Sequence, residues 1–496
     1  MSKTFNLTDT LTGRLQAVQP LEPGHMRMYA CGPTVYSYAH IGNFRSFLTA
    51  DLIVRVATSL GWQVSYATNI TDVGHLTEDD VADASGEDRM AKALASKEGE
   101  AFVNVWDLAR HYAGSLLEDW NTLGLREPMV RPRATEHVRE QISAIENLVS
   151  KGRAYETSSG VYFAVDTFEG YGKLSGNQVA DDLHEGVRDV VRDPEKRNPR
   201  DFALWKKDPK HLMQWFSPWG WGFPGWHIEC SVMAMKYLGD TIDIHAGGED
   251  LIFPHHECEI AQSESLTGKP FAQHWVHTRF LQVEGAKMSK RLGNFLTVRG
   301  IIAPQDQGGR GIDPMALRWA LLAGKYNEPY NFTYETLEVA SKHVARLSAL
   351  AAQAGETSRF GSFDEILAGA GALSSALEAV QAALLEDLNT PIAFREALAG
   401  MKAARQATPA EVAAYLAGIG LLLGLEVGVG HARKSPSDQE AAEVDHAHIQ
   451  SLVDARQQAR RDRDYAAADE LRLALDKLGV EVKDTPAGPE WTLRRS

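Results

Sequence analysis

A chain of 496 residues is too long for one ordinary domain, and 44% apolar with 24% charged residues fits a protein able to bury sizeable cores. Its net charge of −15 counts against wholesale nucleic-acid binding, although a local basic groove can sit on an acidic molecule. Only Cys31, Cys230 and Cys258 are present, which excludes a disulfide framework and suits a reducing cytoplasm.

Met1 to Thr10 is polar and holds no signal-peptide run. Residues 11–27 lead into a short apolar strand that breaks at Cys31-Gly32-Pro33. Helical periodicity begins at His40, with Phe44, Phe47, Leu48, Leu52 and Val56 on one face, and a second strand covers Gln63 to Thr68. Strand, turn, helix and strand predict a βαβ unit, and ligands on such sheets bind where strands end, here at Cys31, Thr34, His40 and Asn43.

Asn69-Ile70-Thr71-Asp72 follows, then an acidic stretch from His75 to Glu100 that reads as a surface loop running into a helix. Helices are predicted over 101–123 and 134–151. Short β-like pieces and an aromatic run over 155–225 predict an insertion between two halves of a sheet. The sheet pattern returns at Thr241 to His245, Pro254 is placed to open a helix, and Trp275 to Val283 reads as another strand. From Asp313-Pro314 to Leu425 the pattern is helical, with 334–354, 363–388 and 391–406 as an antiparallel bundle. Glycines at 418, 420, 424 and 428 and Glu426 make the apolar window 412–430 a packed helix end, not a membrane span. Residues 426–445 read as a linker, and the last fifty as a helix pair ending in Val480-Glu481-Val482.

Four constellations carry chemistry. His255 and Glu259 project from one helical face and, with Cys31 and Cys230, make a zinc set with room for a substrate; Cys258 shares that face, and spacing leaves the choice between Cys258 and Glu259 open. The bland reading makes these cysteines small buried hydrophobes. His40-Ile41-Gly42-Asn43 opens a helix whose N–H groups suit phosphate, with Gly42 allowing close approach of a flat base. Lys287-Met288-Ser289-Lys290 is a loop able to close over a triphosphate. Trp226, His227, His245 and His256 are placed to line a small-ligand pocket.

In order, these segments resemble the cysteinyl-tRNA synthetase family of class I aminoacyl-tRNA synthetases. Cys31-Gly32-Pro33-Thr34-Val35-Tyr36, Asn69-Ile70-Thr71-Asp72, Gly225 to Cys230, Phe253 to Glu257, Asn389-Thr390-Pro391 and Tyr465 to Asp469 match it, together with the two signatures at 40–43 and 287–291. The resemblance implies an α/β fold: a Rossmann-type parallel-sheet catalytic domain with an insertion, an α-helical bundle, and a small C-terminal α+β anticodon-binding domain. Its boundaries would be 1–125 and 226–300 for the two catalytic halves, 126–225 for the inserted region and 301–345 for a stem-contact region. The bundle would span 346–425, the linker 426–445 and the anticodon-binding domain 446–496.

The resemblance further implies one Zn2+ on Cys31, Cys230, His255 and Glu259, with Mg2+ accompanying ATP. It implies cysteinyl-adenylate formation and transfer to the 3′ end of tRNA(Cys) by a cytoplasmic monomer with no membrane partner. His40, Gly42 and Asn43 would bind ATP, and Lys290 with Lys287 the leaving pyrophosphate. Thr71, Trp226 and Asp250 would shape the L-cysteine pocket, and Arg460, Asp469 and Asp484 would read the anticodon. Zinc would select a thiolate over a serine hydroxyl by chemistry, and the insertion is short for a separate hydrolytic domain. This chain departs from the family at Asn43, where a second histidine is usual, at Arg291, and at Val73-Gly74-His75. Rival readings are a cysteine ligase acting on a small amine and an inactive paralogue that binds tRNA or cysteine.

Overall fold

The computed structural model describes residues 3–74, 76–78, 85–176, 194–289, 292–354 and 360–427. Beyond these it describes 452–453, 455–457, 459, 468, 471, 475, 480–485 and 488–493. Two compact units divide the chain, residues 1–431 and 432–496.

The first unit is built on a four-stranded parallel sheet. β1 (His25–Ala30) is followed by α1 (Ile41–Ser59) and β2 (Gln63–Thr68); far along the chain come α2 (Trp226–Leu238), β3 (Ile242–Gly248), α3 (Glu257–Thr267) and β4 (Ala272–Thr278). The spatial order is β4-β3-β1-β2, so the chain winds outward in opposite directions from the β1–β3 pair. That pair is the topological switch point, where a crevice opens beyond the strand ends. Pairing of Ala30 with Ala246 and the Cys31 N–H donating to Ala246 O at 3.1 Å set Cys31 at its lip.

The lead-in is more ordered than its pattern suggests: Asn6–Asp9 and Arg14–Ala17 form a hairpin, and β1 begins at His25. Part of the acidic stretch is also structured, with Leu76–Glu78 paired to Ser85–Asp88 and a helix at Arg89–Leu94. The predicted strand over 275–283 is two strands on different sheets, because Leu281–Val283 leaves β4 to pair with Tyr330–Phe332. The helix expected from Pro254 begins at Glu257 instead, Phe253 being extended at φ −134° and ψ 132°.

The insertion is a five-stranded antiparallel sheet in the order 215–217, 220–224, 202–207, 160–163 and 154–156. Its Phe163, Phe202, Leu204 and Trp205 share a core with Ile228 of α2 and with Cys258 and Ala261 of α3. The insertion therefore braces the outer side of the two helices that carry the distant cysteine and histidine.

Helices at 334–354, 363–369, 374–385, 390–404 and 409–423 make the bundle. The predicted 363–388 helix is interrupted around Gly371, whose φ of +53° helical residues do not adopt. The 409–423 helix packs on α1, which explains why α1 is buried nearly all round although its pattern shows one apolar face. Three charges lie in that interface. Asp51 accepts from Arg55 Nε at 2.7 Å, from Arg318 and from the Arg126 N–H at 2.6 Å. Arg55 donates onward to Gly124 O and Gly420 O, both at 2.7 Å, and Arg318 to Leu123 O at 3.0 Å and Leu423 O at 2.8 Å. These carbonyls lie at or near the C-terminal ends of the 105–122 and 409–423 helices, where a cation complements the helix dipole. A side chain at Gly424, already left-handed at φ +67°, would collide with the Arg318 guanidinium.

In the second unit, Val480–Thr485 and Gly488–Leu493 form an antiparallel hairpin.

Burial alone would raise the Asp51 pKa, but the two arginines outweigh it and hold the carboxyl at about 2. Its contribution to stability is thus present above the usual 3.8 and lost as pH falls through 2. Asp51→Asn is expected to cost about 3–5 kcal/mol, since it strands two buried guanidiniums. Denaturant unfolding at neutral pH measures this, and a loss below about 1 kcal/mol would refute the clamp.

Candidate functional site

A cavity of about 680 Å³ opens at the switch point. The 31–40 loop walls one side, the first turn of α1 forms the floor, and Asp250, Arg279, Gln282, Lys287 and Met288 come from beyond β3. Both signature segments therefore meet in one space.

Their junction is hydrogen-bonded. The Ile41 N–H donates to Leu296 O at 2.9 Å, the Ser289 N–H to Asn294 Oδ1 at 2.9 Å, and the Phe295 ring stands edge-on to His40. At the start of α1, the Asn43 N–H donates to His40 Nδ1 and the His40 N–H donates to Asn43 Oδ1, both at 3.1 Å. With the Ile41 N–H on Leu296 O and the Phe44 N–H on His40 O, this reciprocal box leaves the Gly42 N–H of the first turn for a ligand. A Cβ on Gly42 would stand 2.9 Å from the His40 ring and 3.0 Å from the Met288 methyl, so only glycine keeps this floor flat. Lys287 is exposed at the cavity edge, its ammonium 5.9 Å from the Phe280 ring centre. Lys290 and Arg291 lie outside the described residues.

The second feature is a buried donor cluster. Cys31 follows β1, Cys230 lies in α2 one turn after Trp226, and His255 and Glu259 come from the kinked entrance and first turn of α3. Their ligand atoms lie within 4.8 Å of one another, and all four residues are buried. Cys31, His245, His256 and Glu259 form an overlapping set at the same limit. Glu259 is the hub: His255 Nε2 is 3.1 Å from Oε1 and His245 Nε2 is 3.0 Å from Oε2. The Cys31 Sγ is 3.3 Å from His256 Nε2. Cys258 points the other way, its Sγ 3.6 Å from the Tyr171 hydroxyl in the core of the insertion.

Charge follows from these contacts. Burial pushes Glu259 up, but His245 and His255 outweigh it and bring the carboxyl to about 2. Burial likewise opposes ionisation of Cys230, yet its contacts with Cys31 and His255 lower it to about 6. Cys31 is driven well up by burial and by Cys230. His255 is pushed down by burial but lifted to about 10 by Glu259 and Cys230. Two anionic donors, Glu259 and Cys230, are thus held in an enclosed place, with the Cys31 thiol and the His255 ring, protonated until a metal displaces its proton, beside them. This sulfur- and nitrogen-rich set fits zinc.

Trp226 stands at the mouth, its ring centre 4.3 Å from that of His255, and it lines the cavity with Asp250. Thr71 lies behind the wall: its O accepts from the Val35 N–H at 3.0 Å, and its hydroxyl donates to Glu229 Oε2 at 3.2 Å. Arg460 and Asp469 lie outside the described residues, and Asp484 is placed by its backbone alone, opposite Pro489. Sequence reasoning passed over Arg89, Tyr112, Arg279 and Gln282, all in the cavity wall. None sits in a motif, and Arg89 lies inside the 75–100 stretch read as a surface loop running into a helix.

Burial lowers the His40 pKa to about 4, so the ring is neutral at pH 7. An NMR titration of the ring carbons, with His40→Asn marking the resonance, is expected to find this value; titration near 6.5 would refute it. A ring neutral when folded and charged when unfolded costs stability as pH falls from 6.5 toward 4.

Comparison with known proteins agrees with this architecture. The family model described as tRNA synthetases class I (C) catalytic domain matches residues 17–342, and that of the cysteinyl-tRNA ligase anticodon binding domain matches 446–491. The chain is 52% identical to the cysteine–tRNA ligase of Salinibacter ruber over 99% of both chains. It is 40% identical to that of Deinococcus radiodurans, over 98% of this chain and 96% of the other. Among solved structures, Mycobacterium tuberculosis methionyl-tRNA synthetase bound by methionyl-adenylate superposes with a TM-score of 0.54. It covers 89% of this chain and 96% of its own at 13% identity, a likeness of fold. Among the described residues no helix is long and apolar enough to cross a membrane. Matched at full length and in both of its domain models, the chain belongs to the cysteine–tRNA ligase family of class I aminoacyl-tRNA synthetases.

Proposed function

We propose that this chain activates L-cysteine with ATP and passes the cysteinyl group to the 3′ end of tRNA(Cys). The observation that supports the reading is one cavity that reaches from the first turn of α1 to Cys31, a member of the buried Cys/Cys/His/Glu cluster. In the first step the cysteine carboxylate attacks the α-phosphate of ATP, accompanied by Mg2+, and the bond to pyrophosphate breaks. Neutral His40 accepts at Nδ1, so its proton sits on Nε2 and is offered to a ligand oxygen. Asn43 uses Oδ1 in the helix cap and has Nδ2 left to donate. With Gly42 they bind the phosphates and ribose, while Lys287, and Lys290 in the same loop, neutralise the departing pyrophosphate.

Cys31, Cys230, His255 and Glu259 would hold Zn2+, which when bound supplies a soft Lewis-acid position for the substrate thiolate and none suited to a serine hydroxyl. Trp226 covers that end and Asp250 brings negative charge suited to the substrate ammonium, while Thr71 supports the wall from behind. Arg460, Asp469 and Asp484 in the second unit read the anticodon. None of the three cysteines is in a disulfide, which suits a cytoplasmic location.

Cysteine-dependent ATP–pyrophosphate exchange, run beside serine and followed by tRNA charging, tests the reading. Exchange with cysteine only, then charging, is expected; exchange without charging would replace tRNA by another acceptor. Cys230→Ser is expected to lose bound zinc and cysteine exchange together, and full exchange by the metal-free variant would remove the zinc role. Asp484→Ala is expected to slow charging about tenfold or more while sparing exchange, consistent with loss of one base contact. Unaltered charging kinetics would remove the anticodon assignment.

A further inference from the structure

Arg279 lies in the cavity wall and takes no part in the chemistry described so far. It follows β4 directly, in the link to Leu281–Val283, and its backbone is held on both sides. The Arg279 N–H donates to Tyr326 O at 2.8 Å, and its carbonyl accepts from the Arg45 guanidinium of α1. At the next residue the Phe280 carbonyl accepts from the Tyr330 N–H at 3.1 Å. One carboxylate then ties side chain to backbone. Glu249, in the turn after β3, accepts the Phe280 N–H at Oε1 and holds Arg279 Nε 2.8 Å from Oε2.

Both signature segments touch this link. Arg45, which grips its backbone, lies two residues after Asn43 on α1. Lys287 sets its ammonium 5.9 Å from the ring centre of Phe280. A Cβ built on Gly248 would stand 3.6 Å from Ser46 Oγ, so the turn that carries Glu249 also abuts α1. The Glu249 side chain is only 11% exposed, whereas that of Arg279 is 47% exposed. Among the described residues the Arg279 guanidinium has no acceptor besides Glu249. A guanidinium anchored at Nε keeps the donors of its other two nitrogens, in the planar fork that matches phosphate oxygens.

We propose that Arg279 contacts the triphosphate of ATP and that Glu249 is its positioning residue, an inference that rests on the ATP-dependent activation proposed above. Arg279 adds a fixed cation to a wall where Lys287 supplies a flexible one. Glu249 by itself repels phosphate, so any benefit it brings reaches ATP through Arg279. That reverses the sign expected of a carboxylate acting by charge alone.

Equilibrium dialysis with ATP in the absence of cysteine, with adenosine as a second probe, tests this beside the KM for ATP and for cysteine in exchange. Arg279→Gln is expected to raise the Kd and KM for ATP about tenfold, the lower end for a lost charge-assisted hydrogen bond, while adenosine binding and the KM for cysteine stay unaltered. Glu249→Gln keeps an oxygen for the Phe280 N–H and is expected to weaken ATP about threefold, the scale of one half-exposed ion pair. In the Arg279→Gln background the same change is expected to weaken ATP no further. Unaltered ATP binding by Arg279→Gln, or equal weakening of adenosine, would overturn the contact. Equal or tighter ATP binding by Glu249→Gln would overturn the positioning role. ATP binding without cysteine-dependent exchange in the unaltered chain would instead overturn the underlying activity.

Discussion

Asp51, wedged between Arg55 and Arg318, is the constraint on which the arrangement of the first unit rests. An ion triad this deep is a poor source of net stability, because three desolvated charges consume most of what their attraction returns. Its effect is geometric. Each guanidinium spends its remaining donors on carbonyls at helix ends, so α1, the 105–122 helix, the 313–321 region and the 409–423 helix share one register. Sliding any one of them leaves a buried donor or carbonyl unpaired, at about 1–3 kcal/mol apiece. The N-terminus of α1, and with it the cavity floor, is therefore aimed from its far end by the bundle.

A second constraint acts from the sheet. Cys31 and Cys230 are nearly two hundred residues apart, and no local pattern can bring them together. Pairing of β1 with β3 sets Cys31 beside the segment after β3 that carries His255 and Glu259, and α2, which precedes β3, brings Cys230 to the same cluster near its N-terminus. The insertion then holds α2 and α3 against that edge through Phe202 and Trp205 on one side and Ile228 and Ala261 on the other. Behind the donors, His256 Nδ1 meets His277 Nε2 at 2.8 Å, His277 Nδ1 meets Thr10 Oγ1 at 2.8 Å, and His245 stacks on Trp275. These contacts set ring orientation, which a donor cluster needs more than it needs raw affinity.

The parts legible in the sequence are those written in short-range pattern. Alternation and a Gly-Pro break announce β1, the turn and α1, and the ordered motifs carry the family and both sheet halves. What escaped depends on tertiary contact. Arg45, Asp51 and Arg55 lie off the apolar face of α1, yet they are buried: the 409–423 helix covers Asp51 and Arg55, and Arg45 reaches the Arg279 and Lys325 carbonyls. Spacing leaves the choice between Cys258 and Glu259 open because both lie within a turn of His255; in the fold Glu259 faces the donor cluster and Cys258 faces Tyr171. Arg89 and Tyr112 join the cavity only because the 85–122 segment folds back over the 31–40 loop.

The departure at Asn43 takes on a different meaning once the cap is seen. Replacing a histidine by asparagine forfeits a positive charge only where that histidine would be charged. Burial brings His40 to about 4, and a second imidazole three residues on would share the same half-buried floor and the same neighbouring ring. Asparagine moreover reaches back to the His40 N–H with Oδ1 and keeps its NH2 for a ligand, a division of labour an imidazole achieves only in one tautomer. On the function proposed above, positive charge for the phosphates comes from the α1 dipole and from the lysines of the 287–290 sequence.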